Sequence, residues 1–355
     1  MIEQVYVVRF GCLRDLSVRL SPFHALIGPN DSGKSTFLCA LESAVSVASR
    51  PAPQPRSNKG LERFLAARQE TPLVGVVTMG GSTYTLATEA KVVSEKFSLA
   101  NGASKCEAPF ASMAERGILD RAGRDPDVRA AADQLRGVRL LRLDPDAMRE
   151  SSALLPEGSF IGFVDERGRG LPGVYDAIVN RGDDSFRKIA DDVRALFPTV
   201  KNLRLKTVSS STKVIEVELT DGKKVAANEM SEGLLYYLGF AAIPYLESTS
   251  LLLVEEPENG LHPSRIADVV RALRAISEKG TQVVMATHSP LVINEMRPDE
   301  VTVFTRSEQG TVATPIADTP RFAERSKVYA LGELWLAYAN GKDEAPLLSG
   351  EGTPA

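Results

Sequence analysis

Apolar and polar residues alternate twice near the start of the chain, over residues 2–10 and 14–20. This period of two is typical of half-buried β-strands. Residues 25–27 are all apolar, predict a short buried strand, and lead into a glycine-containing loop. Beyond the loop, residues 35–47 carry apolar side chains at helical spacing. The opening of the chain therefore predicts two strands, and then a strand, a loop and a helix in direct succession.

The middle of the chain is less regular. Residues 72–79 and 82–88 flank a Gly-Gly pair and predict a β-hairpin. Residues 89–126 mix small, polar and charged side chains, and most of this region predicts no clear element. The other elements predicted before residue 228 include a helix over 185–197 and strands over 203–208 and 213–219.

From residue 228 onward, apolar strands alternate with helices. The predicted elements are a helix over 234–243, a strand over 250–254, a helix from 264 to Gly280, a strand over 282–286 and a strand pair over 301–305 and 311–313. This alternation is typical of a mostly parallel sheet that binds its ligand at the carboxyl edge of the strands.

The first candidate site is the stretch HALIGPNDSGKST at residues 24–36, which matches the P-loop pattern G-x-x-x-x-G-K-[ST]. Its glycines let the backbone turn N–H groups toward phosphate oxygens, and the following helix points its positive end at the same anion. Lys34 would hold the β- and γ-phosphates of ATP, and Ser35 would supply an oxygen ligand to Mg²⁺. The predicted nucleotide-binding residues are Gly28, Pro29, Asn30, Asp31, Ser32, Gly33, Lys34, Ser35 and Thr36.

Two later strand ends also carry chemical groups. The stretch LLLVEEPE places Glu255 near the metal, directly or through water, and Glu256 where it would polarise the attacking water. The alternative for these acids is a favourable interaction with a helix N-terminus. His288 follows the apolar run VVMA in the sequence THSP, where it would donate to the γ-phosphate. Its alternative is a structural hydrogen bond, which is the role expected of His24; His262 is expected to position its neighbours.

A third candidate is Ser231-Glu232-Gly233, at the start of the predicted helix over 234–243. A serine hydroxyl, a glycine and free helical N–H groups together make a second anion-binding surface. The alternative is an ordinary helix N-cap. If the three residues bind phosphate, they would cover the γ-phosphate held by another copy of the chain. The motif then predicts a homodimer that forms on ATP binding.

The order of these motifs resembles that of ABC-type ATPases of the structural-maintenance-of-chromosomes (SMC), RecF and OLD group. Within this group the chain is most similar to short AAA_21-like ATPases of the AAA family that lack a nuclease domain. The stretches FGCLRDLSVRL before the P-loop and GELWLAY over 332–338 add to the resemblance.

The resemblance implies an α/β fold. A P-loop NTPase of this group has an ABC-type head, in which a mostly parallel sheet flanked by helices joins an antiparallel β-subdomain, and here an α+β lobe would be inserted. The head would comprise residues 1–50 and 226–340, the lobe 51–225, and a disordered tail 341–355. Some strands of the lobe would join the head.

The same resemblance implies roles for single residues. Residues 28–36 would be the Walker A motif, and Glu255 and Glu256 would be the Walker B acid and the catalytic glutamate. Lys34 and His288 would complete the catalytic set, with ATP and Mg²⁺ as cofactors. Residues 259–260 would lie in the D-loop, and residues 231–233 stand where the signature motif belongs but depart from LSGGQ. Neither Gln54 nor Gln69 is a convincing Q-loop residue.

Composition and charge limit the kinds of partner that the sequence predicts. The 355 residues carry a net charge of −4, so any DNA contact would need a local basic patch. The three cysteines are far apart in the sequence, which predicts neither a disulfide framework nor a zinc site and fits a cytoplasmic protein. No apolar run reaches the roughly 18 residues that a membrane span needs, so no membrane partner is predicted.

The leading hypothesis is an ATP-driven dimerisation switch that acts on DNA or a partner protein, in DNA repair or anti-phage defence. The alternative is an ATPase subunit that controls a separate nuclease or toxin effector. A nuclease within this chain is not expected, because no acid cluster spaced for two metals follows His288. A transporter ATPase and a non-hydrolysing nucleotide-gated module fit the motifs less well.

Overall fold

The computed structural model describes residues 1–48, 59–66, 71–89, 92–100, 104–109, 126–135, 137–156, 161–247, 249–308, 310–319, 322–327 and 329–334. The chain divides into two compact units. The unit called here the P-loop unit comprises Met1–Leu140, Thr249–Glu256 and Arg274–Ala355. The second unit comprises Leu141–Ser248 and Pro257–Leu273.

An antiparallel sheet forms one part of the P-loop unit. In sheet order its strands are β2 (Leu13–Arg19), β1 (Ile2–Phe10), β4 (Leu73–Thr78), β5 (Thr83–Glu89), β6 (Val92–Ser98) and β7 (Ser104–Pro109). The alternation of β1 and β2 buries one face of each strand, as predicted. The predicted hairpin is confirmed as β4 and β5. β6 and β7 lie where the sequence predicted no element.

A mostly parallel sheet carries the motifs of the P-loop unit. In sheet order its strands are β16 (Gly310–Pro315), β15 (Val301–Ser307), β3 (Phe23–Ile27), β14 (Gln282–Thr287), β13 (Leu251–Glu255) and β8 (Val138–Leu141). The neighbours β15, β3, β14 and β13 are parallel, and β16 is antiparallel to β15. Every residue of β3 and β14 is buried, which explains their continuous apolar runs.

Ten α-helices occur in the described part of the chain. They are α1 (Lys34–Ala48), α2 (Lys59–Ala66), α3 (Pro126–Gln134), α4 (Pro145–Arg149), α5 (Leu171–Asn180), α6 (Ser185–Leu196), α7 (Glu232–Ala242), α8 (Pro263–Glu278), α9 (Pro290–Asn294) and α10 (Phe322–Arg325). The second unit contains α4 to α7 and the residues of α8 up to Leu273, and the P-loop unit contains the rest.

The helix α1 is anchored in the core of the P-loop unit. Phe37, Leu38 and Leu41 are fully buried in a hydrophobic cluster that also includes Leu26 of β3. Phe37 packs edge-on against Phe304 of β15, with ring centroids 5.6 Å apart. Each such side chain contributes about 1.5–3 kcal/mol of burial free energy, so the start of α1 is held firmly against the sheet.

The second unit has its own small sheet. β10 (Val200–Thr207), β11 (Thr212–Leu219) and β12 (Lys224–Ala226) are antiparallel, and β9 (Ser152–Ala153) pairs with β11. Ile189 and Val193 are buried in α6, which forms where the sequence predicts a helix over 185–197. The hydroxyl of Tyr175 in α5 donates to the Leu238 carbonyl of α7 over 3.0 Å. Burial raises the pKa of Tyr175, so this phenol stays a donor.

Several predictions concern residues outside the described ranges. They include the tail over 341–355, both candidate Q-loop glutamines and the end of the GELWLAY stretch. The division into a head and an inserted lobe over 51–225 stays a prediction, although β4 to β7 extend the sheet of β1 and β2 as the partial joining of the lobe anticipates. None of the helices in the described residues is long and apolar enough to cross a membrane.

Candidate functional site

The P-loop connects β3 to α1 as the motif requires. A Cβ atom at Gly28 would collide with the carbonyl oxygen of Phe304 in β15. Gly33 has φ = +100°, and a Cβ there would come within 2.6 Å of the Thr311 hydroxyl. That hydroxyl donates to the Ser32 carbonyl over 2.9 Å. Both glycines are therefore required by close packing of the loop against β15 and β16, which fixes the course of its backbone.

Lys34 is the first residue of α1 and is largely buried. Its Nζ donates to the carbonyls of Gly28 and Pro29 over 2.7 and 2.6 Å. The ammonium group therefore lies within the curve of the loop, where a phosphate group would also be bound by backbone N–H groups. The first amides of α1 have no partner within the helix, so this helix end favours an anion.

A cavity of about 700 Å³ opens beside the loop. This volume lies within the range of small-molecule and cofactor sites. The residues that line it are Cys12, Asn30, Asp31, Ser32, Gly33, Lys34, Ser35, Thr36, Glu255, Glu256, Ala286 and Arg306. The cavity thus brings together most of the predicted P-loop residues and both predicted acids. Gly28 and Pro29 are not among the lining residues, but their carbonyls accept hydrogen bonds from Lys34, which does line the cavity.

Strand register brings the acids to the loop. Glu255 ends β13 and lies opposite Ala286 of β14, and Ala286 lies opposite Leu26 of β3. The carboxyl ends of the three strands therefore meet at one edge of the sheet. The backbone N–H of Glu256 donates to the Ala286 carbonyl over 2.8 Å. This bond holds the second acid directly after the strand.

Glu256 has a backbone conformation that is unusual for a residue with a side chain. Its φ of +45° lies in the left-handed region. This conformation costs roughly 1–2 kcal/mol in a residue other than glycine, and the surrounding structure must impose it. Strain of this kind is concentrated at functional sites, so the conformation supports a role for the Glu256 carboxylate beyond stability.

His288 contacts the second acid. It follows β14, and its Nδ1 lies 3.5 Å from Oε1 of Glu256. The two side chains are 49% and 42% exposed, and a polar contact this exposed adds little to stability. Next to it, the Thr287 hydroxyl accepts from the Ser289 N–H over 3.0 Å and shapes the turn. His288 is not among the residues that line the cavity, but it contacts Glu256, which does line it.

The other histidines have structural partners, as predicted. His24 is buried, with Nδ1 3.0 Å from the Ser21 hydroxyl and Nε2 3.0 Å from the Thr302 hydroxyl. Burial lowers the pKa of His24 to about 4, so the ring is neutral at pH 7. In the second unit, Nδ1 of His262 lies 2.9 Å from the hydroxyl of Ser264, in the first turn of α8.

The Ser231-Glu232-Gly233 motif belongs to the second unit and is not among the residues that line the cavity. Ser231 is the N-cap of α7, and its hydroxyl accepts from the Leu234 N–H over 3.4 Å. A Cβ on Gly233 would lie 3.3 Å from the carbonyl of Gly260, in the predicted D-loop. The N-cap alternative is therefore realised in this structure, and the anion-binding role stays a prediction.

Three residues beside the cavity were not predicted from the sequence. Arg306 and Cys12 line the cavity, and Thr311 supports the loop through its bond to Ser32. Arg306 Nη1 donates to the Asp31 carbonyl over 3.4 Å. No local pattern marks these residues, because β15, β16 and the β1–β2 turn meet the P-loop only in the folded chain.

The predicted metal ligands fit Mg²⁺. The Ser35 hydroxyl and the Glu255 carboxylate line the same cavity, and both supply the oxygen ligands that this ion prefers. The described residues contain no group of three or more His, Cys, Asp or Glu side chains that could hold a metal. Mg²⁺ is usually bound by one or two protein oxygens together with water and substrate phosphates, and Ser35 and Glu255 are oxygen donors of this kind.

Comparisons with known proteins identify the family of the chain. Residues 23–294 match the AAA_21 family model, described as "AAA domain, putative AbiEii toxin, Type IV TA system". The Old nuclease of Escherichia phage P2 is 34% identical over 67 residues, which are 19% of this chain and 11% of that protein. The chain therefore spans only about a tenth of the length of this curated relative.

Solved structures give the fold. An Smc head bound to the C-winged helix domain of ScpA has a TM-score of 0.54 at 16% identity, covering 88% of this chain and 96% of that one. A Pyrococcus furiosus Smc head with an extended coiled coil, bound to the C-terminal domain of ScpA, has a TM-score of 0.53 at 15% identity, covering 88% and 95%. The chain belongs to the AAA_21 family and has the fold of an Smc head.

Proposed function

We propose that this chain binds ATP with Mg²⁺ in the cavity beside the P-loop and hydrolyses it. The observation that carries the proposal is the meeting of Lys34, Ser35, Glu255 and Glu256 around one cavity, with His288 in contact with Glu256. Each has the chemical type that phosphoryl transfer to water needs: a cation for the phosphates, oxygen ligands for the metal, a base for the water and a donor for the γ-phosphate.

The residues divide the reaction between them. Lys34 and the backbone N–H groups of the loop bind the phosphates, and Ser35 and Glu255 hold Mg²⁺, which when bound neutralises charge on the β- and γ-phosphates. Glu256 orients the attacking water and accepts its proton as the water oxygen bonds to the γ-phosphorus and the bond between the γ-phosphorus and the ADP oxygen breaks. His288 donates a hydrogen bond to the γ-phosphate. Nδ1 of His288 lies 3.5 Å from Oε1 of Glu256, so the proposed hydrogen-bond donor and the proposed base are in contact.

ATP binding would also join two copies of the chain. In this proposal, Ser231, Glu232 and Gly233 at the start of α7 in one copy cover the γ-phosphate bound by the other. A helix N-terminus with a hydroxyl cap has the polarity that this contact needs. Hydrolysis would then release the pair, and the switch would act on DNA or a partner protein, in DNA repair or anti-phage defence.

The decisive experiment uses Glu256→Gln, which keeps the shape of the side chain and removes the base. This variant should bind ATP, hydrolyse it about 10²–10⁴ times more slowly than the wild type, and accumulate as a dimer with Mg-ATP. Light scattering would follow the mass from the monomer value of 38.3 kDa to twice that value, with and without duplex DNA. Turnover at the wild-type rate would refute the assignment of Glu256.

Two substitutions at Ser231 separate phosphate binding from helix capping. Asn and Asp are both good N-cap residues, so Ser231→Asn and Ser231→Asp should leave α7 intact. Only the aspartate places a negative charge where the γ-phosphate of the other copy would lie. In the Glu256→Gln background, Ser231→Asp should abolish the ATP-dependent dimer and Ser231→Asn should retain it. Equal dimerisation of both variants would count against the shared site.

A second candidate function is an ATPase subunit that controls a separate nuclease or toxin effector. Two findings favour it: the AAA_21 family is described as a putative AbiEii toxin of Type IV TA systems, and the short Old nuclease match covers 11% of that protein. Co-expression of the chain with a candidate nuclease or toxin would distinguish this function. Lys34→Ala should then change the activity of that effector, although the ATPase chain itself binds no DNA.

A further inference from the structure

Arg306 is a cation at the cavity that none of the predicted motifs includes. It lies near the end of β15, its side chain is exposed, and its Nη1 donates to the Asp31 carbonyl of the P-loop over 3.4 Å. Among the lining residues, Lys34 and Arg306 are the cations and Asp31, Glu255 and Glu256 are the acids. An exposed guanidinium that contacts the loop only weakly can turn toward a bound anion or ring.

The sheet places Arg306 and the two acids on opposite sides of the P-loop. β3, which leads into the loop, lies between β15 on one side and β14 and then β13 on the other. Neighbouring strands are about 4.8 Å apart, so the ends of β15 and β13 are separated by roughly 14 Å. Glu255 and Glu256 extend from the end of β13, whereas Arg306 extends from β15. Both candidate catalytic acids therefore lie toward one side of the cavity and Arg306 lies toward the other.

A nucleotide has two ends of different chemistry, a charged triphosphate and an uncharged nucleoside. If the terminal phosphates and Mg²⁺ lie beside Glu255 and Glu256, as the proposed function requires, the opposite end of the molecule extends past the P-loop toward β15. We propose that Arg306 binds the nucleoside end of the nucleotide, through hydrogen bonds to the sugar or base or by stacking on the base. This inference rests on the proposed function, which supplies the orientation of the ligand.

The position of Arg306 predicts a specific kinetic effect. A contact to the nucleoside is the same in ATP, in ADP and in the transition state, so it contributes uniform binding energy. Removing it should raise KM and Kd and leave kcat unchanged. A contact to the γ-phosphate would behave differently, since it would strengthen as charge moves during hydrolysis.

The test measures Mg²⁺-dependent binding of ATP, ADP and inorganic tripolyphosphate to the full chain by calorimetry. Arg306→Ala should weaken ATP and ADP binding alike by about tenfold, because a hydrogen bond to a charged group is lost. Binding of tripolyphosphate, which has no nucleoside, should stay within about twofold of wild type. Arg306→Lys should restore part of the ATP affinity, since it keeps the charge but not the planar fork.

Arg19→Ala is the matched control, because Arg19 is an exposed arginine of β2 in the same unit and does not line the cavity. It should leave all three affinities unchanged. Unchanged ATP affinity in Arg306→Ala, or an equal loss for tripolyphosphate, would overturn the inference while leaving the ATPase proposal intact. A wild-type chain that binds tripolyphosphate and ATP equally well would also overturn it. A wild-type chain that binds none of the three would overturn both.

Discussion

Polar side chains at the two edges of the parallel sheet differ in burial and in hydrogen bonding. At the amino edge, Gln282 of β14 is buried, and its amide bonds to both the N–H and the carbonyl of Ile2, over 2.7 and 2.8 Å. At the carboxyl edge of the same strand, His288 is half exposed and lies 3.5 Å from Glu256. β14 thus begins at a buried glutamine whose amide is hydrogen-bonded, and it ends beside two half-exposed side chains, those of His288 and Glu256.

This contrast distinguishes polar residues that stabilise the fold from polar residues that are available to bind a ligand. His24 and Gln282 at the amino edge have partners for their polar atoms, and leaving such a buried group unpaired would cost about 1–3 kcal/mol. Glu256 and His288 are exposed enough that their contact contributes little to folding. The polar residues at the carboxyl edge are therefore better explained by a ligand, and residue type alone, without the sequence context, would not distinguish His24 from His288.

The largest expected effect is that of Lys34→Ala. Losing the ammonium group should lower ATP turnover by at least about 10²-fold, which is typical when a preorganised donor to the reacting phosphates is removed. Coupled phosphate-release assays would measure it. Lys279→Ala is the control, because Lys279 is an exposed lysine of the same unit outside the cavity. Wild-type turnover by Lys34→Ala would show that the cavity does not perform the proposed reaction.

A smaller effect should appear at the amino edge when the pH is lowered. The pKa of His24 is about 4 in the folded chain and near 6.5 when unfolded, so the unfolded chain binds more protons between these values. The stabilising contribution of the neutral ring is complete above pH 6.5 and is lost as the pH falls toward 4. From pH 7.5 to pH 5 the loss should be about 2 kcal/mol of unfolding free energy.

Urea unfolding of the wild type and of His24→Gln at both pH values would measure this contribution. The glutamine variant cannot titrate there, so its free energy of unfolding should fall less by about that amount. An equal fall in both proteins would mean that His24 is not buried as a neutral ring. ATP turnover, corrected for the fraction folded, should not depend on His24.

The carboxyl edge could be predicted because its signals are local. The P-loop pattern, the two apolar strands and the residues that follow each strand are all read from short segments, and parallel pairing brings their ends together. The supporting contacts could not be predicted in this way. Arg306, Thr311 and Cys12 come from segments that meet the P-loop only through the pairing of β15 with β3 and β16 and through the β1–β2 turn.

Two elements, β6 and α5, were not predicted from the sequence, and the structure gives a reason for each. In β6 the buried positions are Val93, Glu95 and Phe97, so a charged residue occupies the apolar face and hides the alternation. The fold accommodates it because the Tyr84 hydroxyl donates to Glu95 Oε1 over 2.9 Å. In α5, Gly173 weakens the helical signal, yet a Cβ there would come within 2.7 Å of the Ala153 carbonyl. Tertiary contacts override local propensity at both places.

The smallest expected effect tests whether the backbone conformation of Glu256, at the carboxyl edge, lowers the stability of the fold. Glu256→Ala and Glu256→Gly both remove the carboxylate and should lower turnover equally. They differ in the backbone, because glycine adopts a φ of +45° without the steric penalty that alanine shares with glutamate. Glu256→Gly should therefore be more stable than Glu256→Ala by about 1 kcal/mol, measured as the difference in urea unfolding free energy. Equal stabilities would indicate that the turn relaxes in the variants and that Glu256 is not held under strain.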